Sequence, residues 1–153
     1  CSEIPQRCKI DYDYVFCACG TGGTVAGIID GSAKHSKVFG VAVLKNASFL
    51  LNDISKFSHT KKSNWNILFD YHFGGYAKFN KELISFIESF EQKFNIPLEP
   101  IYTGKMLFAI YDLAKKNFFP EGSTKVAYHS GGLQGLKGLV QRNLWSCKDI
   151  QFL

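Results

Sequence analysis

Proline is scarce in this chain, with four residues in 153, and no proline-rich linker divides it. No apolar run approaches the roughly 20 residues that a membrane-spanning helix needs, because charges or glycines interrupt every candidate. Repeats and low-complexity tracts are absent as well. The 18 Lys and Arg stand against 13 Asp and Glu for a net charge of +5, and they are scattered, with no basic stripe. That mild excess suits an anionic ligand and argues against a nucleic-acid surface. The five cysteines include no Cys-x-x-Cys pair. Cys17 and Cys19 are one residue apart, a spacing that fits neither a redox motif nor a zinc knuckle. Inside an apolar run they read as small buried hydrophobes, which places the chain in a reducing compartment, the cytoplasm.

Hydrophobic residues make up 46% of the chain and charged residues 20%, an ordinary globular composition. The length suits one domain, residues 1–153, with room for a sizeable core. Most of the 14 Phe are expected there. The opening Cys1-Ser2-Glu3-Ile4, without an initiator Met, reads as a processed chain or a piece of a longer one.

Tyr14-Val-Phe-Cys-Ala-Cys19 is continuously apolar and stops at Gly20, as a strand buried on both faces would. Further strands are expected over Lys37–Leu44, Trp65–Tyr71 and Thr124–His129. Helices are expected over Thr24–Ile29, Ala47–Ser58, Lys81–Phe94, Thr103–Lys116 and Leu133–Gln141. In the second helix Phe49, Leu50, Ile54 and Phe57 share a side. The third has Asn80 as its N-cap and Leu83, Ile84, Ile87, Phe90 and Phe94 at helical spacing. Strands alternating with helices predict an α/β fold, a parallel sheet flanked by helices.

Three expected strands end in loops that combine glycine with hydroxyl, imidazole or phenol groups: Gly20-Thr21-Gly22-Gly23-Thr24, His72-Phe73-Gly74-Gly75-Tyr76 and His129-Ser130-Gly131-Gly132. In a parallel sheet these loops gather along the edge where ligands of open α/β folds bind. The first has the form of an anion cradle. Its glycines let the backbone come close to a ligand, and the helix N-terminus adds N–H donors and a positive dipole. Each charged hydrogen bond contributes about 1.5–3 kcal/mol, so a few suffice to hold a phosphate without lysine. No Gly-Lys-Ser/Thr follows, and Val25 takes the place of the third glycine of a dinucleotide fingerprint. A phosphate on a small cofactor fits better than ATP or NAD. His72 and His129 have no carboxylate or cysteine beside them and read as strand-end caps, so no metal is expected.

Cys17-Ala-Cys-Gly-Thr-Gly-Gly-Thr-Val-Ala-Gly27 resembles the phosphate loop of fold-type-II pyridoxal-phosphate (PLP) enzymes, whose large domain is like that of the tryptophan synthase β chain. Tyr71-His-Phe-Gly-Gly-Tyr76, Glu99-Pro-Ile-Tyr-Thr-Gly-Lys105 and His129-Ser-Gly-Gly132 then resemble, in order and spacing, later motifs of the D-cysteine desulfhydrase / aminocyclopropane-carboxylate deaminase branch, in its C-terminal half. The resemblance implies that Gly20, Thr21, Gly22, Gly23 and Thr24 hold the PLP phosphate. Tyr76 and Tyr102 would flank substrate and ring as the catalytic pair, and Thr103 and Ser130 would serve the cofactor, Ser130 facing the pyridine nitrogen. A hydroxyl there can hydrogen-bond that nitrogen but cannot hold a proton on it by charge. Deaminases of the branch resemble one another in having Glu after the second tyrosine and an apolar residue after the strand-end His. Thr103 and Ser130 therefore lean toward the desulfhydrase side.

In that family the Schiff-base lysine and the small domain precede all of these motifs. Lys9 is the only lysine before the phosphate loop, and its surroundings do not resemble the lysine site. Lys105 accompanies the catalytic lysine in the family and does not replace it. The chain alone is therefore expected to lack the N-terminal catalytic segment and to be inactive. The implied activity is PLP-dependent breakdown of a small amino acid, D-cysteine or 1-aminocyclopropane-1-carboxylate, to a 2-oxo acid and ammonia, with sulfide from D-cysteine. A homodimer, no membrane and no nucleic-acid partner are implied for the full-length enzyme. Competing readings are a non-catalytic module that holds PLP or a phosphometabolite, and an unrelated phosphosugar-binding domain.

Overall fold

A computed structural model describes residues 1–133 of the chain. In chain order the elements are α1 (Glu3–Arg7), β1 (Tyr14–Cys19), α2 (Gly23–Gly31), β2 (Lys37–Ala42), α3 (Phe49–Phe57), β3 (Trp65–Leu68), α4 (Lys81–Phe94), α5 (Thr103–Lys115) and β4 (Lys125–Tyr128). The four strands form one sheet in the order β3-β2-β1-β4, and every neighbouring pair is parallel. The α/β expectation holds. β2 and β3 lie to one side of β1 and β4 to the other, so the strand order reverses at β1. In open α/β sheets ligands bind at such a switch point, outside the carboxyl ends of the strands.

The pleat of β1 sorts its side chains between two layers, since successive residues of a strand face opposite ways. Val15, Cys17 and Cys19 face a core built with Val25, Ile28 and Ile29 of α2 and Leu50 and Ile54 of α3. Tyr14 and Phe16 face the other core, with Leu83, Ile87 and Phe90 of α4 and Met106 and Leu113 of α5. Both cysteines are 1% exposed and free. Burial pushes the Cys17 thiol far above its ordinary range and that of Cys19 up to about 11. These are inert packing thiols.

The structure departs from the sequence expectations in several places. The short helix α1 was not anticipated. It lies close against α2 because Gly27 and Gly31 leave room: a Cβ on Gly27 would stand 2.4 Å from that of Cys1. The strands beginning at Lys37 and Trp65 end earlier than expected, at Ala42 and Leu68, where the ladder stops and the functional loops begin. On α3 only Leu50 and Ile54 are buried, while Phe49 and Phe57 are 47% and 51% exposed. Most of the described phenylalanines lie in the core or pack against it, but few are fully buried. Among the described residues Phe16, Phe39 and Phe90 are buried, and Phe49, Phe57, Phe94 and Phe118 are exposed. Many rings instead make edge-on contacts over the α4–α5 layer, such as Phe86 with Phe108 at 5.4 Å and with Tyr111 at 5.4 Å. Such pairs retain favourable geometry with one edge in water. Helix α4 matches its expected bounds, and the Asn80 side chain accepts the Leu83 N–H at 2.9 Å. The helix expected over Leu133–Gln141 lies outside the described residues except at Leu133.

Candidate functional site

β1 ends at Cys19, and the chain turns through Gly20, Thr21 and Gly22 into α2. Gly22 is the N-cap at φ +87°, a left-handed conformation that disfavours any side chain. A Cβ there would also stand 2.7 Å from Cγ1 of Ile54 in α3. This glycine is therefore required by the turn and by helix packing. Gly23 is the open position, since a Cβ added there meets nothing within 4 Å. The first turn of α2 has no acidic residue, and no side chain caps it. Its orphan N–H groups and dipole are available to an anion. They open onto a cavity of about 290 Å³ lined by Gly20, Thr21, Gly22 and Thr24 on this side and by Tyr102, Ser130 and Gly132 on the other.

The far wall is built on a buried carboxylate. Glu99 is 1% exposed, and it accepts the N–H groups of Ile101 at 2.7 Å, Tyr102 at 2.8 Å and Thr103, together with the Thr103 hydroxyl at 3.1 Å. The N-terminus of α5 thus already holds an internal anion, whereas that of α2 holds none. Tyr102 leans over Gly20, where an added Cβ would meet its Cε1 at 3.4 Å. Burial, then a hydrogen bond with Tyr76, pushes the Tyr102 phenol up to about 12. The two rings meet edge-on at 6.1 Å, Tyr76 being 56% exposed.

Tyr76 sits on a contorted loop. Phe73, Gly74, Gly75 and Ala77 all have positive φ, at 52°, 97°, 121° and 54°. Two carbonyls of this loop, those of His72 and Gly75, accept hydrogen bonds of 2.8 Å each from Lys105 Nζ. Lys105 is fully buried. Burial pulls its ammonium down to about 8, against the opposing pull of the Glu99 charge. His72 Nδ1 accepts the Gly74 N–H at 2.9 Å. His129 Nδ1 accepts the Gly131 N–H at 3.1 Å, and its Nε2 lies 2.9 Å from the Pro97 carbonyl. Each imidazole caps the loop that it begins.

The structure thus brings Gly20, Thr21, Gly22, Thr24, Tyr102 and Ser130 around one cavity, sets Gly23 beside it and stacks Tyr76 on its Tyr102 wall. Thr103 is the exception. It is buried, its hydroxyl is bonded to Glu99, and it is not among the lining residues, so it shapes the wall of the cavity from behind. Sequence reading missed Glu99 and the burial of Lys105. The spacing of Glu99 and Thr103 ahead of an apolar helix was the available signal, since an acidic and a hydroxyl residue there bind N-terminal amides.

No family model matches the chain. Individual relatives do. A Pyrococcus furiosus protein, named provisionally as a 1-aminocyclopropane-1-carboxylate deaminase, is 33% identical over 88% of this chain and 44% of its own length. A bifunctional D-cysteine desulfhydrase/1-aminocyclopropane-1-carboxylate deaminase of Arabidopsis thaliana is 27% identical over 92% of this chain and 39% of its own. A D-cysteine desulfhydrase of Klebsiella pneumoniae is 27% identical over 88% and 45%. A crystal structure of an ACC deaminase homologue superimposes with a TM-score of 0.73 at 27% identity, covering 93% of this chain and 46% of that one. The chain is similar in sequence and fold to aminocyclopropane-carboxylate deaminases and D-cysteine desulfhydrases. It spans just under half the length of these relatives. Its parallel sheet with flanking helices is the fold-type-II architecture of those enzymes. Among the described residues no helix is long and apolar enough to cross a membrane.

Proposed function

We propose that this chain forms the phosphate-holding part of a PLP-dependent deaminase or desulfhydrase acting on a small amino acid, D-cysteine or 1-aminocyclopropane-1-carboxylate. The carrying observation is the uncapped N-terminus of α2 at the sheet's switch point, opening onto a cavity with a tyrosine and a serine opposite. The residues fit such a cofactor. Thr21 and Thr24 add hydroxyl donors to the free amides, no acidic side chain in the first turn repels an anion, and the cavity suits one phosphorylated ring and not a dinucleotide.

When bound, PLP supplies the electron sink that makes the α-carbon of an amino acid reactive. The other steps belong to side chains. The amides and hydroxyls from Gly20 to Thr24 bind the phosphate and orient the group. Tyr102 and Tyr76 close the cavity's flank, exclude water there and position the substrate. A phenol held at about 12 stays protonated at neutral pH and so acts as a donor. Ser130 would offer the ring nitrogen a neutral hydroxyl, which would moderate the sink without fixing a proton there. The free thiols of Cys1, Cys8, Cys17 and Cys19 support a reducing compartment, the cytoplasm.

Among the described residues no lysine lines the cavity. That observation favours one second reading, a module that holds PLP or another small phosphorylated metabolite without turning it over. Calorimetry with PLP and with inorganic phosphate, followed by assay of 2-oxo acid, ammonia and sulfide release from both amino acids, separates the two. Binding with turnover in the full natural protein supports the enzyme, and binding alone supports the module. Failure of both anions to bind ends both readings.

A further inference from the structure

We propose that Lys105 is a positioning residue that, with Glu99, locks the loop carrying Tyr76 against Tyr102. Its relevance to substrate rests on the functional reading above, but its geometry does not. Residues 73 to 77 combine four positive φ angles, two of them on non-glycine residues. Backbone of this kind costs free energy at each such residue and persists only where its surroundings hold it. Besides the His72 cap on Gly74 and the Phe73–Phe108 ring contact, one buried side chain from α5 holds it. Lys105 Nζ spans the loop by binding the carbonyls on either side of its first bend, His72 and Gly75. A fully buried ammonium needs a compensating charge, and Glu99 supplies it while its oxygens hold the amides of the loop that presents Tyr102. Glu99 also underlies the third loop, since a Cβ on Gly132 would meet its Cγ at 3.4 Å. Two buried charged side chains, each with its own hydrogen bonds, therefore serve the loops of Tyr76, Tyr102 and Ser130. Lys105 is absent from the cavity lining, which makes its role one of placement and not of contact with a ligand.

Ultraviolet tyrosine titration of the full natural protein tests this without cofactor, with Tyr102→Phe subtracted to isolate the Tyr102 signal. Lys105→Met should lower the pH at which Tyr102 ionises, because its ring loses the Tyr76 phenol and gains water. Loss of a nearby cation alone would move that pH upward, so the sign separates displacement from simple charge removal. Lys105→Arg should restore most of the unmodified titration. In the PLP-loaded enzyme Lys105→Met should raise KM about tenfold with kcat changed less than about threefold, as expected for lost orientation of a binding wall. Affinity for inorganic phosphate should stay within about twofold, because the Gly20–Thr24 loop is built separately. A folded Lys105→Met protein in which Tyr102 titrates at the same or a higher pH overturns the proposal, as does a loss of phosphate affinity as large as the change in KM. If Lys105→Met does not fold, Glu99→Gln/Lys105→Met is compared with Glu99→Gln alone, because loss of the Glu99 charge by itself lowers the pH at which Tyr102 ionises; a further fall in the double variant supports the proposal and no further fall overturns it. Failure of phosphate to bind the unmodified protein counts against the functional reading alone, since the tyrosine titration still decides this one.

Discussion

Two loops at the carboxyl edge of the sheet carry the site's contacts, and they are held in opposite ways. The Gly20–Thr24 loop is fixed by its neighbours in sequence. A strand enters it, a helix leaves it, and Gly22 supplies the one left-handed residue that the turn needs. The His72–Tyr76 loop has no such frame, because β3 has already ended at Leu68 and α4 does not begin until Lys81. It is held from a distance by Lys105, about 30 residues later in the chain. A locally framed loop suits the fixed demand of a phosphate. A loop clamped by a distant residue leaves the Tyr76 wall adjustable without disturbing the Gly20–Thr24 turn.

The largest expected effect attacks the distant clamp. Lys105→Met leaves the His72 and Gly75 carbonyls without their buried donor, and each unsatisfied buried acceptor costs about 1–3 kcal/mol. Chemical denaturation should show a drop of this size, with much of it recovered by Lys105→Arg, which keeps a donor for the two carbonyls. Full retention of stability in the single variant would mean that the clamp is not under load.

Gly22→Val attacks the local frame. Left-handed strain on a β-branched residue together with the 2.7 Å approach to Ile54 should cost about 2–4 kcal/mol and abolish phosphate binding by calorimetry. Gly23→Ala, whose Cβ points to open space, should leave stability within about 0.5 kcal/mol. Equal destabilisation by the two substitutions would dissolve the distinction drawn between them.

The other end of α2 provides a pH test. Partial burial pushes the Asp30 carboxyl up, but the Ser58 hydroxyl, the His59 N–H and the hydroxyl and N–H of Thr60 outweigh it and hold it down at about 2. The folded value lies below the ordinary 3.8. The bonds therefore contribute fully above about pH 4, and their contribution is lost as pH falls through about 2. Solvent screening at this half-exposed group reduces the effect to about 1 kcal/mol. Asp30→Asn should flatten the acid limb of the stability curve in that window and leave the Tyr76 loop unchanged.

The smallest effect is expected at Ser130. Ser130→Ala removes at most one neutral hydrogen bond, about 0.5–1.5 kcal/mol, so PLP affinity should fall less than turnover. A collapse of affinity with normal turnover per bound cofactor would take Ser130 away from the ring.

Much of this molecule was legible in its residues. The apolar run Tyr14–Cys19 matches β1 residue for residue, and Asn80 with its apolar spacing marked the start and face of α4. Glycine-rich strand ends located the site's edge, because turn geometry and buried-strand patterns are written in neighbouring residues. What was not legible depended on burial. The lysine in Glu-Pro-Ile-Tyr-Thr-Gly-Lys105 looks like any other, and only packing against α4 and the His72 loop shows it drawn out of water onto two carbonyls. Thr103 looked like a ligand-facing hydroxyl until the fold turned Glu99 onto it. The exposure of Phe49 and Phe57 was hidden for the same reason, since helical spacing places them beside Leu50 and Ile54 but does not say how wide a face α2 covers. Sequence alone determined the strands and the glycine turns that follow them, because these arise from backbone preference and short-range periodicity. The assignment of each polar group to a ligand or to another part of the chain was decided by tertiary structure, because it depends on which distant residues exclude water from it.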